Sequence, residues 1–256
     1  ELPRRCHFHE RRAARNRLLQ MYGVQSMCAE MPAQMYKGTL NFAARRCVLF
    51  DFDGTLVDTG PGILKCMRHA LEKNGVPAGD DRSLHRFVGP PFVQALREFC
   101  GVEGELADRI IRDYRAMYAK DGLYDCAPYP GALDCVKALS AAGRRTAVAT
   151  SKPIRFAREL LDKFGFTPCF SFISGAESDA HAGKAEIVRR AMEALSARAE
   201  DTVMVGDRKY DVFGAAENGV PCIGFCGGYE EQGEFERAGA AAVAEDYARL
   251  RALLLG

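Results

Sequence analysis

The amino-acid sequence predicts an α/β protein: a doubly wound parallel sheet core with an inserted small all-α domain. Three observations carry that expectation. Short runs at 47–52, 146–150, 170–174, 202–205 and 221–225 are apolar almost throughout, as strands covered on both faces are. Longer helical patterns separate them, which is the alternation that builds a parallel sheet. The interval from Gly60 to Pro128 breaks the rhythm, because it holds helical patterns and no convincing strand.

Taken in order, the first strand (47–52) runs through Cys47, Val48, Leu49 and Phe50 and ends at acids. Helical patterns then occupy 63–73, 82–87, 93–99 and 106–119, and are expected to form a separate lid. After Pro130-Gly131 a helix is expected over 132–142, because the breaker pair precedes an apolar period. Further helices are expected at 155–164, 185–196 and 212–217, the last ending at Asn218-Gly219. The expected organisation is an α/β core from 45–60 and 129–256, a helical cap at 61–128, and a basic N-terminal extension at 1–44.

Length and composition bound the function. At 256 residues and 48% hydrophobic content, the chain has room for one to two domains of roughly 150 residues each. Disorder and collagen are excluded, and no apolar run approaches the roughly 18 residues of a membrane span. Lysine and arginine total 35 against 34 acids, a net +1, so no global field draws in nucleic acid or an anionic membrane. The expected partner is a small molecule, and the expected state a monomer or small homo-oligomer.

The ten cysteines are scattered without a C-x-x-C pair. Several lie in apolar segments as small hydrophobes, and a reducing, cytoplasmic setting is expected. The histidines are isolated or lie in the basic extension, so no zinc site is expected. That extension holds Arg4, Arg5, Arg11, Arg12, Arg15, Arg17 and Lys37 against Glu1, Glu10 and Glu30, which leaves the body mildly acidic. Met31 and Met35 precede the first strand closely, so a natural start near Met35 is expected, with the extension non-native or poorly ordered.

Chemistry is expected at the carboxyl ends of the strands. The first ends Asp51-Phe52-Asp53-Gly54-Thr55. Carboxylates two positions apart face opposite sides of a regular strand, so they act together only if the chain turns, which Gly54 permits. One can then be a nucleophile and the other an acid/base, although the segment alone also fits a solvated turn. The second strand ends Thr150-Ser151-Lys152-Pro153, whose hydroxyls and N–H groups ahead of a helix could cradle an anion or simply cap it. Lys184 opens a helix against the dipole preference. Carboxylates or an anion nearby would explain it, as would plain exposure. The fourth strand ends Gly206-Asp207-Arg208-Lys209-Tyr210-Asp211, an acid pair with the i, i+4 spacing that puts both on one side of a helix.

Together these four segments resemble, in type and order, the motifs of the haloacid dehalogenase superfamily, over about residues 45–245. The helical insertion resembles the C1-type cap of its phosphoglycolate phosphatase-like branch. Features of that branch are Phe87-Val88-Gly89-Pro90-Pro91, Tyr129-Pro130-Gly131, Thr150-Ser151-Lys152-Pro153, and Gly206-Asp207-Arg208 with Asp211 and Gly214-Ala215. The resemblance implies a Rossmann-like core and a phosphatase in which Asp51 attacks phosphorus and carries the phosphoryl group. Asp53 would protonate the leaving oxygen and then activate water.

A dianionic phosphate among carboxylates needs a hard cation, and the resemblance implies Mg²⁺ on Asp51, the Asp53 backbone carbonyl and Asp207. Thr150, Lys184, Thr55 and the N–H groups of Gly54 and Ser151 would hold phosphoryl oxygens. Asp211 would orient Lys184 or a metal-bound water. Arg86, Gly89 and Arg97 are the candidate cap contacts, with hinges at 58–62 and 122–128. The substrates compatible with the resemblance are phosphoglycolate and nucleoside 5′-monophosphates. A dehalogenase lacks the second acid, so Asp53 counts against one. A sugar phosphomutase would share these motifs, and a phospho-accepting receiver module would share the acids but has no use for a cap.

Overall fold

The computed structural model describes residues 40–176 and 183–256. The reading of the basic extension lies outside the described residues up to residue 39, as do Cys6, Cys28, His7, His9 and His181. Its last residues belong to the core: Phe42 is buried with Leu250 and Leu254, so the expected boundary after residue 44 falls a few residues late.

Six parallel strands form the sheet: β1 (Cys47–Phe50), β4 (Arg145–Pro153), β5 (Phe172–Ala176), β6 (Thr202–Gly206), β7 (Cys222–Phe225) and β8 (Ala242–Ala244). Their order is β5-β4-β1-β6-β7-β8, so β1 is central. Every side chain of β1 is buried, because successive residues point to opposite faces and both faces are covered. Cys47 and Leu49 pack with the helices α7 (Lys184–Ala194), α8 (Lys209–Ala216) and α9 (Glu234–Ala238). Val48 and Phe50 pack with α5 (Ala132–Ala141), α6 (Ile154–Lys163) and α10 (Tyr247–Leu255). This is the doubly wound α/β arrangement that the alternating pattern predicts.

Four helices interrupt it: α1 (Gly60–Lys73), α2 (Asp81–His85), α3 (Phe92–Cys100) and α4 (Gly104–Met117). Helix α1 carries Pro61 in its first turn and buries Ile63, Cys66, Met67, Ala70 and Leu71, the i, i+3, i+4 stripe of an amphipathic helix. Helix α4 buries Ala107, Ile110, Ile111 and Tyr114 on the same logic. It continues into a five-residue π-helical turn, Tyr118–Gly122.

Two short strands, β2 (Val57–Asp58) and β3 (Ala127–Pro128), pair antiparallel where the chain leaves and re-enters the sheet domain. The expected hinges at 58–62 and 122–128 thus adjoin a two-stranded ribbon. The described cysteines are all free thiols. No helix among the described residues is long and apolar enough to cross a membrane.

Candidate active site

Strand order reverses between β1 and β6, so the crevice beyond their carboxyl ends is where a doubly wound sheet binds ligands. The four segments singled out in the sequence meet there. Asp51 continues the ladder, donating its N–H to Val205 O at 2.9 Å. The chain then turns sharply, with the N–H groups of Leu56 and Val57 donating to Phe52 O at 3.0 and 3.1 Å. Gly54 makes the turn at φ +75°, and a Cβ there would collide with the Asp207 carboxylate, so only glycine lets the loop lie against that acid.

Asp51, Asp207 and Asp211 are buried, and one carboxylate oxygen from each lies within 4.8 Å of the others. Neither carboxylate oxygen of Asp207 has a hydrogen-bond partner. Burial pushes the Asp51 carboxyl up to about 7, against the pull of Lys184 and with repulsion from Asp211 and Asp53 adding to it. Asp207 is raised well above the carboxylate range, by burial first and then by Asp211 and Asp51. Crowded, under-satisfied carboxylates with hard oxygen donors suit a divalent cation, so the residues present fit one.

Lys184, the first residue of α7, answers the question its position raised. Its ammonium lies 2.8 Å from Asp51 Oδ1 and 2.6 Å from Asp211 Oδ1. Burial alone would pull it down, but Asp211 and Asp51 hold it above the usual lysine range. Asp211 sits at the third position of α8 and also accepts the Arg208 N–H at 3.1 Å, closing the start of its helix. It belongs with Asp51 and Asp207, whereas the Asp53 side chain does not.

Asp53 Oδ1 instead accepts from Thr59 Oγ1 at 2.6 Å and from Lys152 Nζ at 2.8 Å. Lys152 also donates to the Tyr118 hydroxyl at 2.8 Å. All four groups are buried. Burial would lower the lysine, yet Asp53 and Tyr118 hold it raised. Sequence reasoning assigned Lys152 and Tyr118 no role. The available signal was a lysine inside a buried strand end, since β4 runs on to Pro153.

Thr150 accepts the Lys152 N–H on its Oγ1 at 3.1 Å, and Thr55 Oγ1 is buried without a partner. Three expectations change. The Gly54 N–H donates to Val57 O at 2.9 Å to close the turn, so it is not available to a phosphoryl oxygen. Arg86 does not line the cavity beside the site. Its guanidinium lies 3.9 Å from the Phe99 ring centroid and 3.7 Å from Glu231, a cation–π and ion pair that hold it aside. Arg97 pairs with Glu103 at 3.4 Å on an exposed surface. Gly89 does line the cavity, whose volume is about 110 Å³ and whose walls include Asp53, Ser151 and Lys152.

A third buried cation, Arg208, lies beside the site. Arg208 Nε pairs with Glu234 Oε1 at 3.1 Å and its Nη1 donates to Val88 O at 2.5 Å. Gly89 is pressed against the same side chain, since a Cβ there would meet Arg208 Cγ at 2.6 Å. The residue after Asp207 therefore ties the 87–91 segment to the sheet domain.

Comparison with known proteins agrees with this geometry. The profile of the "Haloacid dehalogenase-like hydrolase" family matches residues 48–225. A 5′-nucleotidase of Pseudomonas aeruginosa is 35% identical over 208 residues, 81% of this chain and 94% of that one. A phosphoglycolate phosphatase of Rhodospirillum rubrum is 32% identical over 216 residues, 80% and 89% of the two chains. Tyrosine-protein kinase PtkA of Mycobacterium tuberculosis is 39% identical over 183 residues, 71% of this chain but only 62% of its own length. The crystal structure of "a predicted phosphatase from Clostridium acetobutylicum" superposes with a TM-score of 0.79 at 34% identity, over 82% of this chain and 98% of that one. The chain therefore belongs to the haloacid dehalogenase-like hydrolase family, and within it is a phosphoric monoester hydrolase.

Proposed function

We propose that the chain is a Mg²⁺-dependent phosphatase that hydrolyses a small phosphomonoester of the phosphoglycolate or nucleoside 5′-monophosphate type, carrying the phosphoryl group on Asp51. The observation that carries this reading is the division of labour among the acids. Asp51 faces Lys184 and the orphaned Asp207, while Asp53 is held apart by Thr59 and Lys152.

An Asp51 oxygen attacks phosphorus as the bond from phosphorus to the leaving oxygen breaks. Asp53 gives its proton to that oxygen. It then takes a proton from the water that attacks the phosphoryl-Asp51 phosphorus, which releases phosphate and restores both carboxyl groups. Thr59 and Lys152 fix the Asp53 side chain for both transfers.

Lys184 and the Thr150, Ser151 and Thr55 hydroxyls are the donors for the remaining phosphoryl oxygens; Thr150 keeps its own proton to donate, since its oxygen is what accepts from Lys152. Asp51 and Asp207, with the Asp53 backbone carbonyl, would hold the cation, and Asp211 keeps Lys184 in register. Bound there, Mg²⁺ would offset the carboxylate charge and polarise the phosphoryl oxygens.

Residues 61–128 act as the cap over a core made of about 42–60 and 129–256. The near-neutral charge and the free thiols fit a cytoplasmic enzyme of small metabolites, acting on neither nucleic acid nor membrane. Phosphate release from a panel of phosphomonoesters with Mg²⁺ tests the reading. Free phosphate is expected, and an isomerised sugar phosphate in its place would identify a phosphomutase.

A further inference from the structure

Beyond Asp53, Ser151 and Lys152, the cavity wall combines aliphatic and proline side chains and Arg115 with a group of aromatic rings. Phe92 of α3, Tyr114 of α4, Tyr118 of the π-turn and Phe156 of α6 all line it. They form an unbroken series, with centroids 4.4 Å apart for Phe92–Tyr114, 5.3 Å for Tyr114–Tyr118 and 5.5 Å for Tyr118–Phe156. Tyr114 and Tyr118 stack at 18°, and the outer contacts are edge-to-face.

The π-turn helps to make this belt. Such turns depart from regular helix geometry and recur at functional sites. Here the turn begins at Tyr118, which meets Lys152 through its hydroxyl and Tyr114 through its face.

Resting on the phosphatase reading, we propose that the leaving group of the substrate carries a planar ring, which this aromatic belt receives. Size favours it, because a cavity of about 110 Å³ is comparable with the ~150 Å³ space that takes up one benzene molecule. Chemistry favours it as well. Ring faces and edges match offset-stacked and T-shaped partners, whereas a two-carbon carboxylate such as glycolate would leave most of that wall without contact. Lys152 and Arg115 are the cations in the cavity wall, and the Lys152 ammonium is already shared between Asp53 and Tyr118. A nucleobase and a simple aryl group share the required chemistry.

The test uses the full chain with Mg²⁺ and compares kcat/KM for AMP, UMP, phenyl phosphate, ribose 5-phosphate and phosphoglycolate. Ring-bearing esters are expected to exceed both ringless ones by about 10²-fold. Nucleotides ahead of phenyl phosphate identify a nucleobase as the ring, and the reverse order an aryl group. Phe92→Leu keeps an apolar side chain and removes a ring. It is expected to lower kcat/KM for ring-bearing esters about tenfold, chiefly through KM, with the ringless esters changed less than about twofold.

Phosphoglycolate or ribose 5-phosphate matching the ring-bearing esters would overturn the inference while leaving the phosphatase reading intact, as would an equal loss on every ester in Phe92→Leu. Hydrolysis of no ester at all would overturn both.

Discussion

Lys152 Nζ lies 2.8 Å from Asp53 Oδ1 and 2.8 Å from the Tyr118 hydroxyl, so one buried ammonium joins the carboxylate proposed as acid/base to the helical insertion. Lys152→Met would leave Asp53 buried with Thr59 as its remaining side-chain partner. Phosphate release is expected to fall by about 10²-fold with the fold retained. Unchanged turnover would contradict the positioning role given to Lys152.

A cation held by these acids, as proposed, would make metal binding and proton release one event. The Asp51 carboxyl, raised from 3.8 to about 7, binds a proton in the folded chain where the unfolded chain has lost it. Stability of the metal-free protein should therefore fall as pH rises through that window. A cation replaces the proton, so the rise in Tm on adding Mg²⁺ should be larger at pH 8 than at pH 5, with protons released on binding. Thermal unfolding at both pH values checks this, and an equal rise at both contradicts it.

Arg208 and Glu234 are both buried, and their pairing fixes the 87–91 segment through Val88. Removing one member of such a pair strands the other charge, at a cost of about 3–5 kcal/mol. Glu234→Ala is expected to lower the urea midpoint accordingly. Faster hydrogen exchange at residues 88–92 should accompany it.

Gly54 turns the loop after β1 at φ +75° against Asp207. Gly54→Ala adds backbone strain of about 1 kcal/mol or more and pushes on an acid of the cation site. Both basal Tm and its rise with Mg²⁺ should decrease, measured by calorimetry.

The strand ends were legible in the sequence because each combines a wholly apolar run with an abrupt polar segment. Asp51, Lys184, Asp207 and Asp211 meet as that pattern implies. The ribbon β2–β3 was not legible, since two-residue strands carry no period. The segment after Phe225 escaped too: β8 is three small residues, and α9 has only five.

Pairings distant in sequence left no local trace. Tyr118 reaches Lys152 across 34 positions and Glu234 reaches Arg208 across 26. Arg86 misled for a related reason. Its charge invited a ligand, but Phe99 and Glu231, brought close only by folding, engage it first.

The central claim is that Asp51 carries the phosphoryl group. The most direct measurement is rapid acid quench of the Mg²⁺-loaded enzyme during turnover, followed by peptide mass spectrometry of wild type and Asp51→Asn. A phosphoryl group on the peptide containing Asp51 is expected in wild type, and its absence in Asp51→Asn should accompany a loss of phosphate release of at least about 10³-fold. Phosphate release by Asp51→Asn at the wild-type rate would contradict the account.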